Sequence, residues 1–122
     1  MKPILKIDDE RRRIFGIAMV GDEVDQQGDM IDDSELEDAS FRAVTNGAIV
    51  KVEHDGPAVG RVVASWPLTK QIADSLGIER PNGQSVWLVG LEVTDPDAWA
   101  AVRSGELGHA LSVGGRAERT PA

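Results

Sequence analysis

The sequence predicts an α+β fold: a strongly curved, mainly antiparallel β-sheet or partial β-barrel, with two or three helices packed outside it. Short apolar runs rich in valine and isoleucine recur along the chain, each bounded by Gly, Pro, Asn or Asp, as strands are. Helical patterns separate only some of these runs, so strands and helices do not alternate as a parallel βαβ sheet requires. The chain has 122 residues, 41% of them apolar and 28% charged, which suits one soluble globular domain with a real core. That domain is expected over 1–122, with its core in about 11–115 and a polar tail in 116–122.

Residues 11–20 (Arg-Arg-Arg-Ile-Phe-Gly-Ile-Ala-Met-Val) read as the first strand. A polar loop follows, in which Asp25-Gln26-Gln27-Gly28-Asp29 carries turn chemistry. Ser34, with Glu37 three residues on, has the capping-box pattern, and Leu36, Ala39, Ala43 and Val44 share one face. A helix is therefore predicted over 34–45, stopped by Asn46-Gly47. Residues 48–54 form an apolar run that ends on a histidine and is broken by Asp55-Gly56-Pro57. Residues 59–66 predict another strand, ended by Pro67. A short helix is expected over 69–77, with Gly77 at its end, and Pro81-Asn82-Gly83 is a turn. Residues 85–93 carry the strongest strand signal. Thr94-Asp95-Pro96 then opens a helix with a capping side chain followed by proline, and Gly105 closes it. The last strand is expected over 107–113.

Composition removes several classes of function. There is no cysteine, hence no disulfide, thiolate nucleophile or Cys-type zinc site. The N-terminus meets Asp8 and Asp9 too early for a signal peptide, and no apolar run approaches the ~20 residues of a membrane span. Net charge is −8 and the basic residues are scattered apart from Arg11-Arg12-Arg13, so neither nucleic acid nor membrane is an expected partner. No phosphate loop is present, since Gly108 to Gly115 lacks a following Lys-Ser/Thr. His54, Asp55 and His109 lack the short spacing of a ligand pair, so no metal or other cofactor is expected.

The residues that could do chemistry are few. Ser112 stands in an apolar run and is followed by Gly114-Gly115, a place where the chain can turn and bare its N–H groups. A serine hydroxyl beside such donors has what acyl transfer needs, a nucleophile and fixed dipoles for the oxyanion. The same residues also fit a strand ending in a Gly-Gly turn. Only two histidines exist, His54 and His109. His54 sits at a strand end, from which an imidazole could enter a cleft as general base. His109 lies three residues before Ser112, which on a strand puts the two on opposite faces. Asp29, at the end of a turn, and Glu118, just beyond the glycines, are candidates to orient His54.

An ordered series of landmarks carries a family resemblance. Val24-Asp25-Gln26-Gln27-Gly28-Asp29 follows the first strand, His54 ends a later one, and Gly60-Arg61-Val62-Val63-Ala64-Ser65-Trp66 comes after it. Val86-Trp87-Leu88-Val89-Gly90-Leu91-Glu92-Val93-Thr94-Asp95-Pro96 leads to a helix ending in Gly105-Glu106-Leu107, and Ser112-Val113-Gly114-Gly115 closes the series. From about residue 14 to 115 this order resembles the XkdF-like serine proteases of tailed phages, relatives of the prohead proteases. The resemblance implies a fold like the herpesvirus assemblins and a serine endopeptidase with Ser112 as nucleophile and His54 as base. It implies phage scaffold and capsid proteins as substrates, self-cleavage, action in the host cytoplasm or prohead interior, and by analogy a homodimer. The rival is a non-catalytic capsid-assembly binding module of the same fold.

Overall fold

A computed structural model of the chain describes residues 4–21, 31–51, 57–105 and 112–114. Strands β1 (Ile4–Asp8), β2 (Arg13–Val20), β3 (Ile49–Lys51), β4 (Ala58–Leu68), β5 (Val86–Val93) and β6 (Ser112–Gly114) form one sheet in the order β1-β2-β5-β4-β3-β6. Every pairing is antiparallel, and four of the five carry a register shift. Such bulges bend a strand and increase its twist. Among the described residues β1 pairs only with β2 and β6 only with β3, so the sheet is open there rather than closed into a barrel.

Among the described residues three α-helices accompany the sheet: α1 (Asp33–Thr45), α2 (Lys70–Leu76) and α3 (Pro96–Arg103). Each starts on a side-chain oxygen. Asp95 accepts the Ala98 N–H at 2.8 Å just before Pro96, as the sequence predicted. In α1 the cap is Asp32, which accepts the Glu35 N–H at 2.8 Å; Ser34 lies inside the helix. The Asp32-Asp33-Ser34 run offers three capping residues, and the chain uses the first. Gly77 closes α2 at φ 69°, the left-handed conformation that glycine adopts without penalty.

Two expectations about strands need correction. β1 lies in a segment not predicted as a strand. Its three middle residues are exposed, so no alternation marks it, and pairing with β2 makes it a strand. Pro67 does not end β4, which continues to Leu68. β3 pairs only with the Ala58–Arg61 end of β4, so at Pro67 β4 has no strand neighbour on that side and tolerates a residue with no N–H.

The main core lies between the sheet and helices α1 and α3. Ile14, Val50, Val59, Val89, Leu91 and Val93 meet Leu36 and Ala43 of α1 and Ala98, Trp99 and Val102 of α3. On the other face α2 covers only one end, where Ala73 packs on Ile17, Leu68 and Val86. β5 is central: one face packs on α1 and α3 and the Val86 end of the other packs on α2, which accounts for much of its near-continuous apolar run.

The turn between β1 and β2 carries a pH signature. The Arg11 backbone N–H donates to Asp8 Oδ1 at 3.1 Å and its guanidinium to Oδ2 at 3.2 Å. The backbone bond foremost, then the Arg11 side chain, holds the Asp8 carboxyl below its ordinary value of 3.8. A depressed folded pKa contributes stability that is present above the unfolded value and lost as pH falls through the folded one. A carboxyl NMR titration is expected to give an Asp8 midpoint below that of free aspartate. Arg11→Ala, which keeps the backbone donor, restores only part of the difference. A midpoint at or above the ordinary value contradicts the arrangement.

Candidate active site

The site is built at the β6 edge of the sheet. Ile49, Val50 and Lys51 of β3 stand opposite Gly114, Val113 and Ser112 of β6, while the other side of β3 pairs with β4. Val113 is half-buried and packs on the main core, which anchors this three-residue strand. The row Val93–Gly60–Val50–Val113 crosses four strands and ties the serine strand to the centre of the sheet.

Gly60 makes this row possible. A Cβ at Gly60 would run into the Glu92 carbonyl oxygen and come within 3.0 Å of Val93 Cα. The Thr94 and Asp95 N–H groups both donate to the Val59 carbonyl, at 2.8 and 3.1 Å, so the start of α3 is pinned beside the same point. At the far side of α3, Trp99 Nε1–H donates to Asp9 Oδ1 at 3.0 Å, and Arg103 Nε lies 3.1 Å from that oxygen. Asp9 thus fastens α3 to the β1–β2 turn.

Of the residues singled out from the sequence, Ser112 is the first residue of β6, opposite Lys51. Gly114 is the last residue of that strand, opposite Ile49. His54, Asp29, Glu118, Gly115 and His109 lie outside the described residues. Sequence reasoning passed over Lys51. It is the direct cross-strand neighbour of Ser112, a relation set by register, for which a single strand carries no signal. Among the described residues no group of three or more His, Asp or Glu could hold a metal ion, and no helix is long and apolar enough to cross a membrane.

Other serines hold structural posts. Ser65 Oγ accepts the Trp87 Nε1–H at 2.7 Å and donates to the Ser40 carbonyl at 2.8 Å, joining β4, β5 and α1 through one half-buried hydroxyl. Ser85 is fully buried, and its Oγ takes the Arg80 guanidinium at 2.9 Å.

No curated protein matches the chain, and no solved structure matches it. A family model does, over residues 1–121, and its description reads "Putative phage serine protease XkdF". With nearly every residue inside that match, the chain belongs to this XkdF family.

Proposed function

We propose that the protein is a serine endopeptidase of phage capsid maturation, with Ser112 as nucleophile and His54 as base. Its substrates are scaffold and capsid polypeptides, and its own chain, met in the prohead interior or the host cytoplasm. The observation that carries the reading is the pairing of Ser112 with Lys51. His54 follows Lys51 by three residues, a tether that no conformation stretches beyond about 11 Å. A directly opposite residue is only ~5 Å away. That register supports the reading, because chain length alone keeps His54 near the strand that carries Ser112. The reading also takes the helix-flanked antiparallel sheet as kin to the assemblin proteases.

In this chemistry the Ser112 hydroxyl gives its proton to the imidazole as its oxygen bonds to the peptide carbonyl carbon. The imidazolium returns that proton to the departing amine as the C–N bond breaks, and water then releases the acyl group by the same route. An acid such as Asp29 or Glu118 orients the imidazole, and backbone N–H groups at Gly114-Gly115 face the oxyanion.

The test is intact-mass analysis of the protein incubated with the scaffold and capsid proteins of its own phage. Discrete fragments are expected, and Ser112→Ala should reduce their formation by about four orders of magnitude or more. A fluorophosphonate probe should label the wild-type chain at Ser112. If neither protein yields fragments and Ser112 stays unlabelled, the binding-module reading takes its place.

A further inference from the structure

Among the described residues, the face of the sheet away from α1 and α3 is covered only at the α2 end. Beside that end lies an apolar groove of about 240 Å³, lined chiefly by Leu5, Phe15, Ala64, Trp66, Leu88 and Gly90. Its floor depends on a glycine. Phe15 Cε1 lies 3.2 Å, and Ala64 Cβ 3.0 Å, from where a Gly90 Cβ would stand, so the absence of that atom lets the phenyl ring settle across β5. Trp66 is 54% and Leu5 58% exposed, so the two flanking walls stand in water, an arrangement that marks interaction sites in folded proteins.

The charge around this groove is opposite to that of the chain. Lys6 Nζ lies 5.9 Å from the centre of the Phe15 ring. One step along the strands, Asp8, Arg13, Glu92 and Arg61 stand in a row across β1, β2, β5 and β4, with Arg11 on Asp8. Four cations (Lys6, Arg11, Arg13, Arg61) against two carboxylates (Asp8, Glu92) leave a border of +2 on a chain of −8. Within the border, Arg13 Nε is shielded from solvent and stands 3.8 Å from Glu92 Oε2, while the rest of the Arg13 side chain is exposed.

We propose that this groove docks an extended, acidic–apolar segment of a partner polypeptide, seating apolar side chains against Phe15 and Trp66 and carboxylates against Lys6, Arg13 and Arg61. Size favours a short segment over a second copy of the chain. A stable interface between proteins buries about 800 Å² on each partner, whereas this groove admits only a few side chains. The lining crosses four strands, about 14 Å at 4.8 Å per step, the reach of about four extended residues. The groove is also separate from the serine edge. Its nearest strand, β4, is separated from β6 by β3, so a docked segment leaves Ser112 free. The inference does not depend on catalysis.

The experiment uses the full chain carrying Ser112→Ala, so that no probe is cut. Fluorescence anisotropy follows a dye-labelled short peptide in which leucine alternates with glutamate, giving one apolar and one acidic face when extended. The peptide is expected to bind, to bind more weakly as salt rises, and to lose about tenfold or more in affinity on Trp66→Asp, as when a central aromatic anchor is removed. Lys6→Glu with Arg61→Glu should abolish the preference over a leucine–lysine peptide. These side chains are exposed, and unchanged circular dichroism and melting of the variants will show that the fold is intact. No binding, binding indifferent to Trp66→Asp, or equal binding of the leucine–lysine peptide overturns the proposal. So does a dimer in sedimentation that Trp66→Asp converts to monomer, which makes the groove a contact between copies.

Discussion

Gly60→Ala is expected to cost about 3 kcal/mol of stability or more, and to remove whatever activity resides at Ser112 along with it. Two effects oppose each other at this position. Alanine restricts the unfolded chain more than glycine does, a gain of about 0.4–1 kcal/mol where the native backbone accepts it. Against that, the new methyl would overlap the Glu92 carbonyl oxygen and sit 3.0 Å from Val93 Cα and 3.1 Å from the Glu92 carbonyl carbon. These are backbone atoms of the central strand, so no rotamer change can relieve the clash, and the steric cost wins. Relief requires β4 to separate from β5, and β3 and β6 follow β4 through the row that ends at Val113. Gly21→Ala is the control, because its Cβ would meet nothing closer than 3.4 Å. Urea denaturation of both variants measures the difference. Equal midpoints for Gly60→Ala and wild type would show that the β4–β5 contact at this point is looser than described.

Ser65→Ala is expected to destabilise the protein by about 1–3 kcal/mol, beyond the loss of one oxygen atom's contacts. Its hydroxyl serves two buried partners at once, the indole N–H of Trp87 and the carbonyl of Ser40. Removing it leaves the Trp87 N–H unpaired, an orphan that costs about 1–3 kcal/mol, and takes from the Ser40 carbonyl the bond it accepts besides its helical one. Trp87 is only 5% exposed, so water cannot readily replace the lost acceptor. Ser65→Thr keeps the hydroxyl and should retain most of the stability, whereas Ser65→Val, similar in shape to threonine, should not. If Ser65→Val proves as stable as Ser65→Thr, the hydrogen bonds are not what holds α1 to the sheet.

The sequence was most informative where the physics is local. Asp95-Pro96 opens α3 because a carboxylate satisfies a free N–H and proline supplies a helical φ, and both effects act within four residues. Gly47, Gly77 and Gly105 all have the positive φ that their helix-ending positions suggested. The apolar run over 85–93 carried the strongest strand signal, and β5 occupies Val86–Val93. The family was legible too, through the order of its landmarks rather than any single motif, and the match over residues 1–121 agrees with it. The serine candidate comes from the same reading, and Ser112 begins β6.

What escaped the sequence depended on partners distant in the chain. β1 is exposed along its middle and became a strand only against β2. Pro67 remains inside β4 because β3 is too short to reach it, a fact about another segment's length. Ser65 reads as one more strand residue until Trp87 and Ser40 are brought to either side of its hydroxyl. The groove at Phe15 and Trp66 combines four strands, and its positive border arises on an acidic chain because register aligns Arg13, Glu92 and Arg61. The sequence by itself determined the three helices, the central strands, the α+β class and the family, since propensity, capping and hydrophobic period act over a few residues. Strand order and register were decided only by the tertiary structure, because a strand's pairing partner is chosen by how well whole faces bury together. Lys51 came to stand opposite Ser112 through that choice.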